Sequence, residues 1–167
     1  YMKYTIEKAN KFILENKHKV NQKHRHHYHL MPVIGWMNDP NGLIYFKNEY
    51  HAFYQYHPYD SKWGPMHWGH AVSKDLITWK DLGVALAPDL EHEDGIFSGG
   101  AVVNDNKLYL LYTAHLNEPV QLEEQSLAIS EDGLTFKKYL NKPVLKVDML
   151  PPNASTTDFR DPKPVII

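Results

Sequence analysis

The feature that most limits how this chain can fold is an internal repeat. Residues 47–54 lie over residues 105–112, and residues 71–80 over residues 128–137, an offset of about 57 residues. Within the second pair the same Ser-x-Asp-x-x-Thr-aromatic-Lys string appears twice, at Ser73, Asp75, Thr78, Trp79 and Lys80 and again at Ser130, Asp132, Thr135, Phe136 and Lys137. Each unit reads as four short strands: 42–46, 50–56, 68–73 and 79–82 in the first, 100–103, 108–113, 127–130 and 135–137 in the second. Lys47-Asn48-Glu49 and Asn104-Asp105-Asn106 supply equivalent turns. Four strands per repeat are the mark of propeller blades, and a third unit opens near Arg160-Asp161-Pro162-Lys163. Two unrelated meanders in a sandwich would not place one turn motif at the same point in both. The expected fold is therefore all-β, a partial propeller of about two blades and the start of a third.

A short amino-terminal helix precedes it. From Thr5 to about Lys17 the residues Ile6, Ala9, Phe12 and Ile13 recur at helical spacing. The run from Lys23 to His29 holds four histidines, but neighbours on an extended segment face opposite sides, so it reads as a solvated lead-in, not a metal site. The chain thus divides into residues 1–28, helix and lead-in, and 29–167, an incomplete propeller. Glu118, Glu123 and Glu124 fall in a polar stretch read as a solvated loop between strands.

A formal net charge of -2 with no basic stripe argues against a nucleic-acid partner. The absence of cysteine removes disulfides, thiolate metal sites and cysteine nucleophiles together, and suits the cytoplasm. Apolar runs such as Phe12-Ile13-Leu14 are far too short to span a membrane. Aromatic residues make up 13% of the chain and crowd between Trp36 and Trp79, as suits both a β-rich core and a sugar-binding cleft.

Asp39-Pro40-Asn41-Gly42, taken alone, is a good turn sequence. Here it opens the first unit, where the innermost strand of a blade faces the central axis, and Asp161 opens the third unit in the same way. Two carboxylates, Asp39 and Asp161, are then expected to converge on one depression.

Trp36-Met37-Asn38-Asp39-Pro40-Asn41-Gly42, Phe97-Ser98-Gly99-Gly100 and Phe159-Arg160-Asp161-Pro162-Lys163 resemble, in order and spacing, three signature blocks of glycoside hydrolase family 32, the invertase and sucrose-6-phosphate hydrolase family. Tyr54-Gln55-Tyr56, Trp63-Gly64-Pro65 and the run from His67 to Ala71 are also similar to it. The resemblance implies a five-bladed propeller followed by a β-sandwich, with the remaining blades and the sandwich supplied by further polypeptide. It implies retaining hydrolysis of a terminal fructofuranoside with Asp39 as nucleophile and Asp161 as transition-state stabiliser. Trp36, Asn38, Gln55, Trp63, Phe97, Ser98 and Arg160 would line the fructosyl pocket, with no cofactor and no metal. The family places its acid/base glutamate about fifty residues past Arg160-Asp161-Pro162, and no residue here is assigned to that role. Where Gly100 stands the family usually has a hydroxyl residue, so one polar contact is missing. A non-catalytic carbohydrate-binding propeller, or a related glycosidase acting on fructans or arabinosides, fits the same blocks.

Overall fold

The computed structural model describes residues 4–167. Eight strands form two four-stranded antiparallel sheets, each paired strictly in chain order. The first sheet holds β1 (Trp36–Phe46), β2 (Glu49–His57), β3 (His67–Ser73) and β4 (Lys80–Leu86). The second holds β5 (Gly95–Asn104), β6 (Lys107–Leu116), β7 (Leu122–Ser130) and β8 (Lys137–Lys138).

The repeat is visible at the level of single torsions. Lys47 and Asn48 both have positive φ, 47° and 65°, and so do Asp105 and Asn106, at 46° and 56°. A two-residue hairpin with both central residues left-handed matches the right-handed twist of the strands it joins, which is why Asn or Asp fills three of these four positions. After the third strand of each sheet, Asp75 Oδ1 accepts from the backbone of Ile77 and Thr78 (2.9 and 2.7 Å), and Asp132 Oδ1 from Leu134 and Thr135 (both 2.8 Å). These amide donors hold both carboxyls down at about 2.

Helix α1 (Ile6–Asn16) is capped by Thr5, whose hydroxyl accepts from the Lys8 amide at 3.2 Å. Its Ala9 and Ile13 share a core with Tyr54, Tyr56, Ala71, Val84 and Ala87 of the first sheet region, and Asn10 Oδ1 accepts the Val84 amide at 2.9 Å. A second core lies between the sheets, around Phe53, Trp68, Ile96, Leu108, Leu110, Tyr112 and Phe136. The sheets are also tied by ions: Lys138 of β8 donates to the Ala87 carbonyl at 2.7 Å and pairs with Asp89 and with the buried Glu93, which accepts the Tyr112 hydroxyl at 2.8 Å.

Several readings of the sequence change, among them the start of β5, which lies at Gly95 and not at Gly100, and the last strand, which is Lys137–Lys138 and not 135–137. β1 begins at Trp36, not Gly42, so the Asp39-Pro40-Asn41-Gly42 turn sequence is absorbed into a strand as bulges. The fourth strand of the first sheet extends to Leu86 instead of ending at Leu82. Glu123 and Glu124 belong to β7, with Glu123 buried; Glu118 alone stays in the exposed connection. The reason is that this end of β7 buries a polar face, so Glu123-Glu124-Gln125-Ser126 shows no apolar alternation although every residue pairs with β6.

Candidate active site

The site is built where the inner strands of the two sheets are irregular at the same level. In β1, Met37 pairs with Tyr56 and Pro40 with Tyr54, so Asn38 and Asp39 together oppose Gln55. In β5, Phe97 pairs with Thr113 and Gly99 with Tyr112, leaving Ser98 as the extra residue. A bulge turns a side chain out of the regular pleat, and here the two turned-out side chains meet: the Ser98 hydroxyl donates to Asp39 Oδ2 at 3.2 Å.

Asn41, buried, secures both bulges by donating to the Asp39 carbonyl (3.3 Å) and accepting the Gly99 amide (3.2 Å). Gln55 is buried and spends its amide hydrogen on the Ile96 carbonyl at 2.8 Å, while Trp68 Nε1 donates to the Phe97 carbonyl at 3.1 Å. Asp39 itself is exposed, and among the described residues no cation pairs with it. A carboxylate held by one neutral hydroxyl keeps an oxygen free for attack on an electrophile, an arrangement suited to a nucleophile.

Asp161 reaches the same level from the third segment. Its amide donates to Thr113 Oγ1 at 3.0 Å, and Thr113 also lies 3.1 Å from the Ser98 carbonyl, so one threonine touches the backbone of both blocks. Asp161 is in the left-handed region (φ 58°), which turns the chain sharply as it leaves Arg160. The structure also explains Gly100. A Cβ there would stand 2.7 Å from Pro164 Cδ and 3.2 Å from the Pro162 carbonyl, so this glycine is the space through which the third segment passes.

Phe97 stacks flat on His115, with ring centroids 4.0 Å apart and planes inclined by 6°. Trp36 pairs with His57, and His57 lies within hydrogen-bonding distance of the Lys62 carbonyl (2.8 Å), which ties the loop carrying the 60% exposed Trp63 to the same end of the first sheet. Asn38 is exposed. Arg160 bonds both oxygens of Glu123 (3.3 and 3.4 Å) and Asp158 (3.2 Å), and the Glu123 charge chiefly raises its affinity for its proton. Sequence reasoning missed Thr113, His115, Glu123 and Gln125. Their signal was the alternation of polar residues on both strands, Thr113 and His115 against Gln125 and Glu123. Among the described residues no group of three His, Asp or Glu side chains is placed to hold a metal ion.

The sequence model of the Glycosyl hydrolases family 32 N-terminal domain matches residues 29–166, across both bulges and the third segment. The chain belongs to glycosyl hydrolase family 32. It is 48% identical to the levanase of Bacillus subtilis over 151 residues, which is 85% of this chain and 21% of the levanase. Against a sucrose-6-phosphate hydrolase of Escherichia coli the identity is 49% over 144 residues, 82% of this chain and 29% of that enzyme. A Bombyx mori family 32 β-fructofuranosidase superimposes with a TM-score of 0.84 at 48% identity, covering 95% of this chain and 33% of that one. This family 32 chain therefore spans between a fifth and a third of the length of these relatives.

Proposed function

We propose that this family 32 domain supplies the nucleophile and the fructosyl-binding wall of a retaining β-fructofuranosidase acting on sucrose or sucrose-6-phosphate. The observation that carries the reading is the facing pair of bulges, which leaves the Asp39 carboxylate exposed, unpaired by any cation among the described residues and oriented by Ser98. In that role Asp39 attacks the anomeric carbon, the bond to the leaving oxygen breaks, and a fructosyl ester forms on the carboxylate. A protonated second carboxyl delivers its proton to the leaving oxygen and then activates water, and retention needs the two carboxyls about 5 to 5.5 Å apart. That acid/base glutamate, together with the blades completing a five-bladed propeller and a β-sandwich, belongs to polypeptide outside these residues. Asp161 and Arg160 bind fructose hydroxyls, Asp161 more strongly as positive charge develops on the ring.

Support comes from the relatives' names, which include sucrose-6-phosphate hydrolase, and from a mutant Bombyx mori enzyme solved with sucrose. A cytoplasmic site of action is part of this reading and rests on the cysteine-free composition; cell fractionation tests it. The decisive experiment places Asp39→Asn in a polypeptide of the relatives' length and assays fructose release from sucrose and sucrose-6-phosphate. Loss of turnover by several powers of ten with KM little changed is expected, and wild-type turnover would move the nucleophile elsewhere.

A further inference from the structure

On β6 and β7, two register pairs carry four polar side chains at one end of the sheet: Thr113 opposite Gln125, and His115 opposite Glu123. All four are buried, at 0%, 1%, 6% and 1% exposure respectively. Polar groups taken out of water destabilise a fold unless they are hydrogen-bonded. Three of these find partners in a segment that starts the next unit. Thr113 Oγ1 accepts the Asp161 amide at 3.0 Å, Gln125 Nε2 donates to the Phe159 carbonyl at 2.6 Å, and Glu123 receives the Arg160 guanidinium on both oxygens. Three consecutive residues of the third segment are each gripped by a different side chain of one strand pair.

The fourth member extends the cradle to the wall of the site. Asp94 Oδ2 accepts from both the backbone and the side-chain nitrogen of Asn117, which fixes the amide so that its oxygen meets His115 Nε2 at 3.0 Å. His115 Nε2 therefore carries a proton, its Nδ1 lies 3.4 Å from Glu123 Oε1, and its ring backs Phe97. Glu123 thus borders two things at once, the arginine preceding Asp161 and the histidine under Phe97.

We propose that Glu123 is a positioning residue for the reaction: it holds Arg160 away from Asp161 and keeps the Asp161 carboxylate free to face the sugar. Glu123 is too buried to touch substrate. Its removal leaves Arg160 with the exposed, weaker partner Asp158, from which the guanidinium can fold onto the adjacent Asp161 and neutralise the charge that the transition state needs. The inference rests on the proposed fructosidase reading of this site.

The test uses a polypeptide of the relatives' length and compares wild type, Glu123→Gln, Arg160→Gln, the double variant and Asp39→Asn, with sucrose as substrate. Glu123→Gln keeps shape and removes charge. Its kcat is expected to fall about tenfold or more with KM changed less than about threefold, and a melting temperature close to wild type excludes a folding defect. In the Arg160→Gln background the same substitution is expected to cost almost nothing further, because the two side chains act as one unit. A fully additive double variant, or a wild-type kcat in Glu123→Gln while Asp39→Asn is dead, overturns the positioning role and leaves the fructosidase reading standing. An active Asp39→Asn overturns that reading instead. If Glu123→Gln misfolds, Glu123→Asp carries the question: it keeps the charge but draws it back from Arg160, so kcat is expected to fall at preserved melting temperature when Arg160 is present and not in the Arg160→Gln background, and an equal fall in both backgrounds overturns the proposal.

Discussion

Ser98 and Asp39 lie in different sheets, yet the Ser98 hydroxyl donates to Asp39 Oδ2 at 3.2 Å because each residue sits in a bulge of the first strand of its own sheet. Removing that hydroxyl leaves Asp39 in place but free to rotate. In a polypeptide of the relatives' length, Ser98→Ala should lower kcat by about tenfold, as expected for a hydrogen bond to a charged group. Steady-state kinetics with sucrose check this, and an unchanged kcat would show that the bond plays no part in turnover.

The Lys138, Glu93 and Asp89 group is a different kind of contact, with the Glu93 side chain fully buried and Lys138 12% exposed. Breaking a buried pair strands the partner charge, which costs about 3 to 5 kcal/mol. Lys138→Ala should destabilise by that order in urea unfolding. A loss under about 1 kcal/mol would mean that water reaches Glu93 freely.

Leu76 and Gly133 occupy the same turn position in the two units, both left-handed at φ 63° and 77°. Leu76 is exposed and adopts a conformation that disfavours any Cβ, so Leu76→Gly should be stabilising by up to about 1 kcal/mol. At Gly133 a Cβ would lie 2.9 Å from His51 Cε1 and 3.1 Å from Phe46 Cδ1, so Gly133→Leu should cost more than about 2 kcal/mol. Thermal or urea melts of both variants read the contrast, and equal effects of the two would refute the strain argument.

Two buried histidines set an acid limit on stability. Burial lowers His67 to about 4, and burial with the neighbouring His51 lowers His70 to about 3, against an ordinary 6.5. The hydrogen bonding agrees: His51 Nε2 faces the Phe46 carbonyl, so His51 Nδ1 accepts from His70 Nε2 at 3.0 Å and both rings are neutral. Because their folded pKa values lie below the unfolded ones, the unfolded chain binds the extra protons. Stability is complete above pH 6.5 and falls below it, by up to about 1.4 kcal/mol per pH unit per histidine until each folded value is reached. Asp75 and Asp132, held at about 2, add a second loss as pH drops from about 4 toward 2. Urea midpoints measured from pH 7.5 to pH 4 should decline steadily below 6.5, and a flat profile would mean that the buried rings take protons in place.

Much was settled by local chemistry that sequence carries openly. Asn48 and Asp105 announce turns, the repeated Ser-x-Asp string announces the same local structure twice, and Ile6, Ala9, Phe12 and Ile13 announce one helix face. These depend on a few neighbouring residues, so they survive being read in one dimension. The motif Asp39-Pro40-Asn41-Gly42 was legible as important but not as a strand, since a bulge exists only relative to a partner, here Gln55. Gly100 read as a missing hydroxyl and proved to be clearance for Pro164, a contact between residues more than sixty positions apart. Glu123 read as solvated because its immediate neighbours are polar. Only the tertiary structure buries it, by bringing Arg160 from the next unit and His115 from the paired strand, and a charge is tolerated inside a protein only when such partners arrive.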